Sequence, residues 1–266
     1  MKDSNSALIE SLATSIEKKD NLSRYNYTKY AVRAMLATMF LTLGTGIAFF
    51  ISAYADSVVP HSGKFFFAFM FSWSLVMIVY MNAELGTSNM MYMTSAVYHK
   101  KLRFLTAAKI LAICIAFNFI GAVIFAWLMS QTNAFNNMAP DSFLFEAVTA
   151  KLAKTPWVQF TEGIFANIVV NTAVFVTLRM KDDAGKVFSM IFIIFIFAFL
   201  GFEHVIANFV SFSLAFFANG GPVEGMNIGS VLSNFLFSGL GNYVGGGLII
   251  GLLYSWLNKD SEIYVD

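Results

Sequence analysis

Charge is scarce in this 266-residue chain: 12% of its residues are Asp, Glu, Lys or Arg, against 58% hydrophobic. Soluble domains carry ~25% charge and ~45–50% apolar residues, so a globule of this composition could not cover its own surface. That excludes a soluble enzyme, a nucleic-acid binder and a disordered chain, and leaves an integral membrane protein. Cysteine is all but absent. The single Cys114 lies in an apolar run, which excludes a disulfide framework and a thiolate metal site. Of three histidines, His61 and His99 lie in loops, so no metal site is expected. There is no HExxH, no nucleophile elbow and no phosphate loop; the Gly-Lys pair in DDAGKVFS lacks the rest of that pattern. The chain is therefore expected to be neither an enzyme nor a cofactor protein. The net charge of +1 points to no partner. Phenylalanine is the abundant residue, 30 of 266, and suits lipid-facing and pore-lining surfaces.

Six long apolar segments, about 29–54, 63–98, 104–131, 157–180, 187–218 and 229–257, predict an all-α membrane domain over 29–257. Residues 1–28 are expected to form an N-terminal tail. Leu8, Ile9, Leu12, Ala13 and Ile16 in it share one helical face, as in an amphipathic helix lying on the membrane or under the bundle. Residues 258–266 are the C-terminal tail. Of the 17 Lys and Arg, 14 fall on the side of the two termini and 3 on the other: Lys64, Lys151 and Lys154. Both termini are therefore expected in the cytoplasm.

The second and fifth segments are too long for one span and too short for two. Each has polar residues at its middle, ELGTSN at 84–89 and EHVIAN at 203–208. The pattern predicts an inverted 3+3 repeat with broken second and fifth helices, whose half-helices meet at a midplane site. Irregular backbone is tolerated at that depth where protein or a water-filled cavity surrounds it. Glu84, Glu203 and His204 lie near mid-span, where ionisable residues are rare and mark function. His204 is expected to donate a hydrogen bond into a pore or pass a proton. The two glutamates are expected to brace the broken helices or pair with a lysine at the mouth. Asn167, Asn171, Asn234 and Asn242 are intramembrane amides of the kind that tie helices together, and the glycines of GLGNYVGGGLIIG permit close helix approach.

These motifs carry a resemblance. GFEHVIANF at 201–209, with NAELGTSN at 82–89, GIFAN at 163–167 and GNYVGGG at 241–247, resembles the signature of the formate/nitrite transporter family over residues 25–257. The resemblance implies an aquaporin-like arrangement of six spans and a homopentamer with one pore per protomer. It assigns His204 as the central pore histidine and Thr87 as the threonine facing it. Asn167 and Asn242 would flank the cavity, and Leu85 would form the inner constriction. Phe71 and Phe197 would form the outer constriction, and Glu203 and Lys151 would interact at the outer mouth. Where members commonly carry Phe, this chain has Gly86, which implies a wider inner constriction and a larger solute. Asn82 stands where a small residue is more usual.

The function so implied is passive, proton-linked passage of small monovalent anions of weak acids across the cell membrane. Formate comes first, with nitrite, lactate, acetate and hydrosulfide as alternatives. The partners implied are these anions, protons and the lipid bilayer. A neutral-solute pore of the aquaporin type would place Asn-Pro-Ala at each break, and the prolines here are Pro60, Pro140, Pro156 and Pro222. A sodium-coupled transporter would need a carboxylate-and-carbonyl ion site, for which Glu84 is the nominal residue.

Overall fold

A computed structural model describes residues 7–136 and 138–258. The expected C-terminal tail lies, apart from Asn258, outside the described residues. Among the described residues all regular structure is helical. An amphipathic α1 (Ala7–Tyr25) is followed by α2 (Tyr27–Val58), α3 (Gly63–Tyr80), α4 (Gly86–Tyr98) and α5 (Phe104–Ser130). Then come α6 (Phe143–Leu152), α7 (Pro156–Arg179), α8 (Asp183–Leu200), α9 (Val205–Ala218) and α10 (Ile228–Leu257). Six of these are long and apolar enough to cross a membrane: α2, α3, α5, α7, α8 and α10. The half-helices α4 and α9 complete the second and fifth segments after breaks of a few residues.

The packing repeats between halves. α2 lies against α3 and α5, and α7 against α8 and α10. Each half-helix then crosses to the other half's third helix, α4 onto α10 and α9 onto α5, while α3 meets α8. Small residues make the α7–α10 approach possible. A Cβ at Gly241 would collide with the Phe160 carbonyl, and one at Gly245 with the Ile164 carbonyl. Residues 243–253 of α10 wind into the wider turns of a π-helix.

Large apolar side chains remain on the outside, Leu105, Phe192 and Trp157 among them, as a lipid-facing surface requires. α1 is not a free tail. Its Leu12 and Ile16 are buried against the bundle. The short helix α6, between the third and fourth spans, was not foreseen in the sequence; ten residues bounded by loops give too weak a periodic signal.

Candidate pore site

Both breaks start with a residue in the left-handed region, Asn82 (φ 51°) and Gly201 (φ 72°). Glycine adopts that conformation freely, and asparagine is among the few other residues that tolerate it. This gives Asn82 a backbone reason. Its side chain also accepts from Lys18 Nζ at 2.7 Å.

The breaks are held by matching polar frames. At the first, Asn118 of α5 donates to the Glu84 carbonyl (2.9 Å) and the Ala34 carbonyl (2.6 Å), and accepts from the Gly86 amide (2.8 Å). At the second, Asn242 of α10 donates to the Glu203 carbonyl (3.0 Å) and the Gly163 carbonyl (2.8 Å), and accepts from the Val205 amide (2.8 Å). Each glutamate accepts from the asparagine five residues on: Glu84 from Asn89 at 3.0 Å, Glu203 from Asn208 at 2.6 Å. A buried backbone group left unpaired costs ~1–3 kcal/mol; the two asparagines remove that cost where helical bonding fails. Asn167 and Asn171, both fully buried on α7, donate to the Thr87 carbonyl at 3.1 and 3.2 Å, and Asn167 also donates to the Asn242 carbonyl at 2.7 Å. These amides act within the frame. Asn118 was missed in the sequence because it stands alone in an apolar run, yet its position mirrors that of Asn242 in the repeat.

A cavity opens at each end of the bundle. On the α1 face a 260 Å³ cavity is lined by Lys18, Lys19, Glu84, Leu85 and Ser88. Lys19 pairs with Glu84 at 2.6 Å. On the α6 face a 360 Å³ cavity is lined by Phe71, Phe197, Lys64, Lys151, Lys154 and Ser211. Glu203 is fully buried there. Its Oε1 accepts from Lys151 (3.1 Å) and Lys154 (2.8 Å), and its Oε2 from Asn208 (2.6 Å) and Asn234 (3.0 Å). With four donors, the carboxylate acts as a hub. Lys154, which the sequence reading did not single out, also pairs with Glu162 at 2.6 Å.

Between the vestibules the lining turns apolar. Phe71 and Phe197 meet edge to face with centroids 5.6 Å apart, and Phe197 lies 5.7 Å from the His204 ring. Leu85 is buried on the α1 side. His204 is the N-cap of α9, its Nδ1 accepting the Ala207 amide at 3.1 Å. The accepting nitrogen carries no proton, so in the neutral ring the N–H is at Nε2. His204 Nε2 and Thr87 Oγ1 are both buried and make no hydrogen bond to a described residue. The lone pair of His204 thus serves the backbone of its own helix, and no bond to Thr87 forms.

Gly86 sits tight against α5. A Cβ there would meet Asn118 Oδ1 and Ile115 Cγ1 at 2.9 Å. The side of Gly86 faces α5, and the missing side chain permits the close approach of the frame.

Residues 6–256 match the family described as Formate/nitrite transporter. The chain is 29% identical to the formate-nitrite transporter of Plasmodium falciparum (isolate 3D7), over 94% of this chain and 84% of that protein. It is 29% identical to the uncharacterized transporter YwcJ of Bacillus subtilis (strain 168), over 91% and 94%. Among solved structures it superposes on an FNT family ion channel with a TM-score of 0.87, at 23% identity and over 94% and 98% of the two chains. A second, a pentameric formate channel with formate bound, gives 0.68 at 24% identity, over 86% and 97%. Six spans, two framed breaks and a match over nearly the whole length place this chain in the formate/nitrite transporter family, as a membrane transport protein.

Proposed function

We propose that this protein conducts small monovalent anions of weak acids, formate foremost, in step with a proton. Its place would be the cell membrane, with the α1 face and both termini cytoplasmic, as a homopentamer with one pore per protomer. The observation that carries this reading is the state of His204. Its Nδ1 is committed to the α9 cap, leaving Nε2 as a buried donor beside the phenylalanine pair.

Lysines at the vestibules draw an anion in: Lys64, Lys151 and Lys154 at one end, Lys18 and Lys19 at the other. A bare anion cannot pass Phe71 and Phe197 without losing its hydration at large cost. A weak acid avoids that cost by taking a proton, because falling polarity raises its own pKa. The neutral acid then needs one hydrogen-bond donor in the dry segment, which Nε2–H supplies. Glu203, occupied by four donors, holds the lysines and the break in place.

The test is uptake by proteoliposomes of formate, nitrite, lactate, acetate and hydrosulfide at two pH values, with and without sodium. Flux that rises as the outside is acidified and ignores sodium supports the reading. Equal flux of a neutral solute such as glycerol, or dependence on sodium, would overturn it.

A further inference from the structure

A second basic site lies away from the pore, where the end of α1, the start of α2 and the α4–α5 turn meet. A groove of 1220 Å³ there is lined by Arg24, Lys100, Lys101, Arg103 and Lys109, and no Asp or Glu is among its lining residues. The pore lysines Lys19, Lys151 and Lys154 each hold a carboxylate. In the groove Arg24 is paired with Asp20 at 2.7 Å. The other four cations are exposed and form no ion pair with a described residue. Four uncompensated charges in one concavity repel one another unless an anion joins them.

The turn that carries three of them is fixed. Lys100 sits in the left-handed region (φ 55°), and the amides of Lys100, Lys101 and Leu102 return to α4 carbonyls at 3.1, 2.9 and 3.2 Å. α5 begins just beyond as a membrane span, and its N-cap Arg103 makes no side-chain cap. The first amides of α5 therefore add their partial positive charge to the groove. Lys109 stands five residues into α5, ~7.5 Å below the turn at 1.5 Å per residue. Cations thus line the groove from the membrane boundary inward. Its remaining walls are apolar or amphipathic, Tyr27, Leu105 and Ile113, and Leu105 is 79% exposed.

We infer that this groove binds the headgroup of an anionic phospholipid in the leaflet at the α1 face, with its acyl chains along α5. The phosphate chemistry is shared with free phosphate. The apolar wall below the cations and their place at the end of a span favour the lipid, since a soluble anion gains nothing from Leu105 or Ile113. Basic pockets between membrane helices of this kind suit anionic headgroups.

The test uses the full chain in mild detergent, with native mass spectrometry of lipid retained from mixed phosphatidylglycerol and phosphatidylcholine. The unaltered protein should retain phosphatidylglycerol preferentially. A Lys100→Gln, Arg103→Gln, Lys109→Gln variant should lower that preference at least about tenfold, whereas Lys109→Arg alone should keep it. All positions are exposed, and an unchanged elution volume verifies the fold. Equal retention of the two lipids, or an unchanged preference in the triple variant, would overturn the proposal. Displacement of phosphatidylglycerol by millimolar inorganic phosphate would also overturn it, by assigning the groove to a free anion. Loss of the oligomer at constant lipid count would overturn it in favour of a contact with a neighbouring copy.

Discussion

The two broken helices use one frame and differ at a single decisive place. In each, a left-handed residue ends the first half-helix, a glutamate grips an asparagine five residues on, and an asparagine from the half's third span satisfies the exposed backbone. At the residue after the glutamate the halves part. Leu85 caps α4 with no side-chain hydrogen bond, whereas His204 caps α9 through Nδ1 and keeps a second nitrogen free. The same frame breaks the helix twice, and one copy presents an unbonded ring nitrogen where the other presents an apolar side chain. The charges follow the same division: Glu84 holds one lysine, Glu203 two.

The strongest way to break this comparison is through the two frame asparagines. Asn118→Leu and Asn242→Leu each remove three hydrogen bonds to buried backbone, including those that serve the break, so each should cost ~3 kcal/mol or more. Both should show as loss of the monodisperse peak in fluorescence-detected chromatography after heating. If one variant behaves as the unaltered protein, the halves are not equivalent. Next in size is Glu203→Gln, which leaves Lys151 without a carboxylate and Lys154 with Glu162 alone, and should cost about 3 kcal/mol. Glu84→Gln should cost less, because Lys19 alone loses its partner. A larger loss at Glu84 would contradict the hub role of Glu203.

Gly86 sharpens the comparison at lower cost. Its counterpart, Val205, carries a side chain, but a Cβ at 86 would press on Asn118 and Ile115. Gly86→Ala should therefore destabilise by ~1–2 kcal/mol through overpacking, with the lactate-to-formate flux ratio unchanged. A shifted ratio at full stability would restore Gly86 to a role in size selection.

The smallest effect belongs to the α1 clasp. Burial works against the charge of Lys19, but the Glu84 carboxylate, helped by Tyr92, outweighs it and holds the ammonium above its ordinary 10.5. A raised value in the folded state means the clasp contributes in full below pH 10.5 and fades as the pH climbs past the raised value. Replacing both partners, Lys19→Met with Glu84→Gln, strands no buried charge and should cost ~1 kcal/mol or less, seen as faster hydrogen exchange in α1 at neutral pH. Unchanged exchange would show that Leu12 and Ile16 hold α1 without it.

Much of this frame was legible in the chain itself. Six apolar runs and two polar interruptions locate the spans and breaks, because a charged or amide group inside a hydrophobic run has few physical excuses. The Lys151–Glu203 pairing came with the family resemblance. What stayed hidden depends on direction and partnership across distant segments. Asn118 is one polar residue in a hydrophobic helix until the fold sets it against Glu84, 34 positions away. Lys154 reads as a loop charge until α6 and the α7 start bring it to Glu203. The close packing of Gly86 on α5 depends on Asn118 and Ile115, which lie about thirty positions away. The tautomer of His204 depends on the Ala207 amide, which sequence places nearby but cannot aim.

The central claim, that the free Nε2–H of His204 carries acid-coupled passage through the dry segment, is tested most directly by His204→Asn in proteoliposomes. Asparagine is a good N-cap, so α9 and the oligomer should persist, while the imidazole that reaches beside Phe197 is gone. Formate flux driven by an inward proton gradient should fall about tenfold, roughly one well-placed hydrogen bond, while its rise on external acidification persists, because the proton travels on the solute. Wild-type formate flux in a properly folded variant would contradict the account.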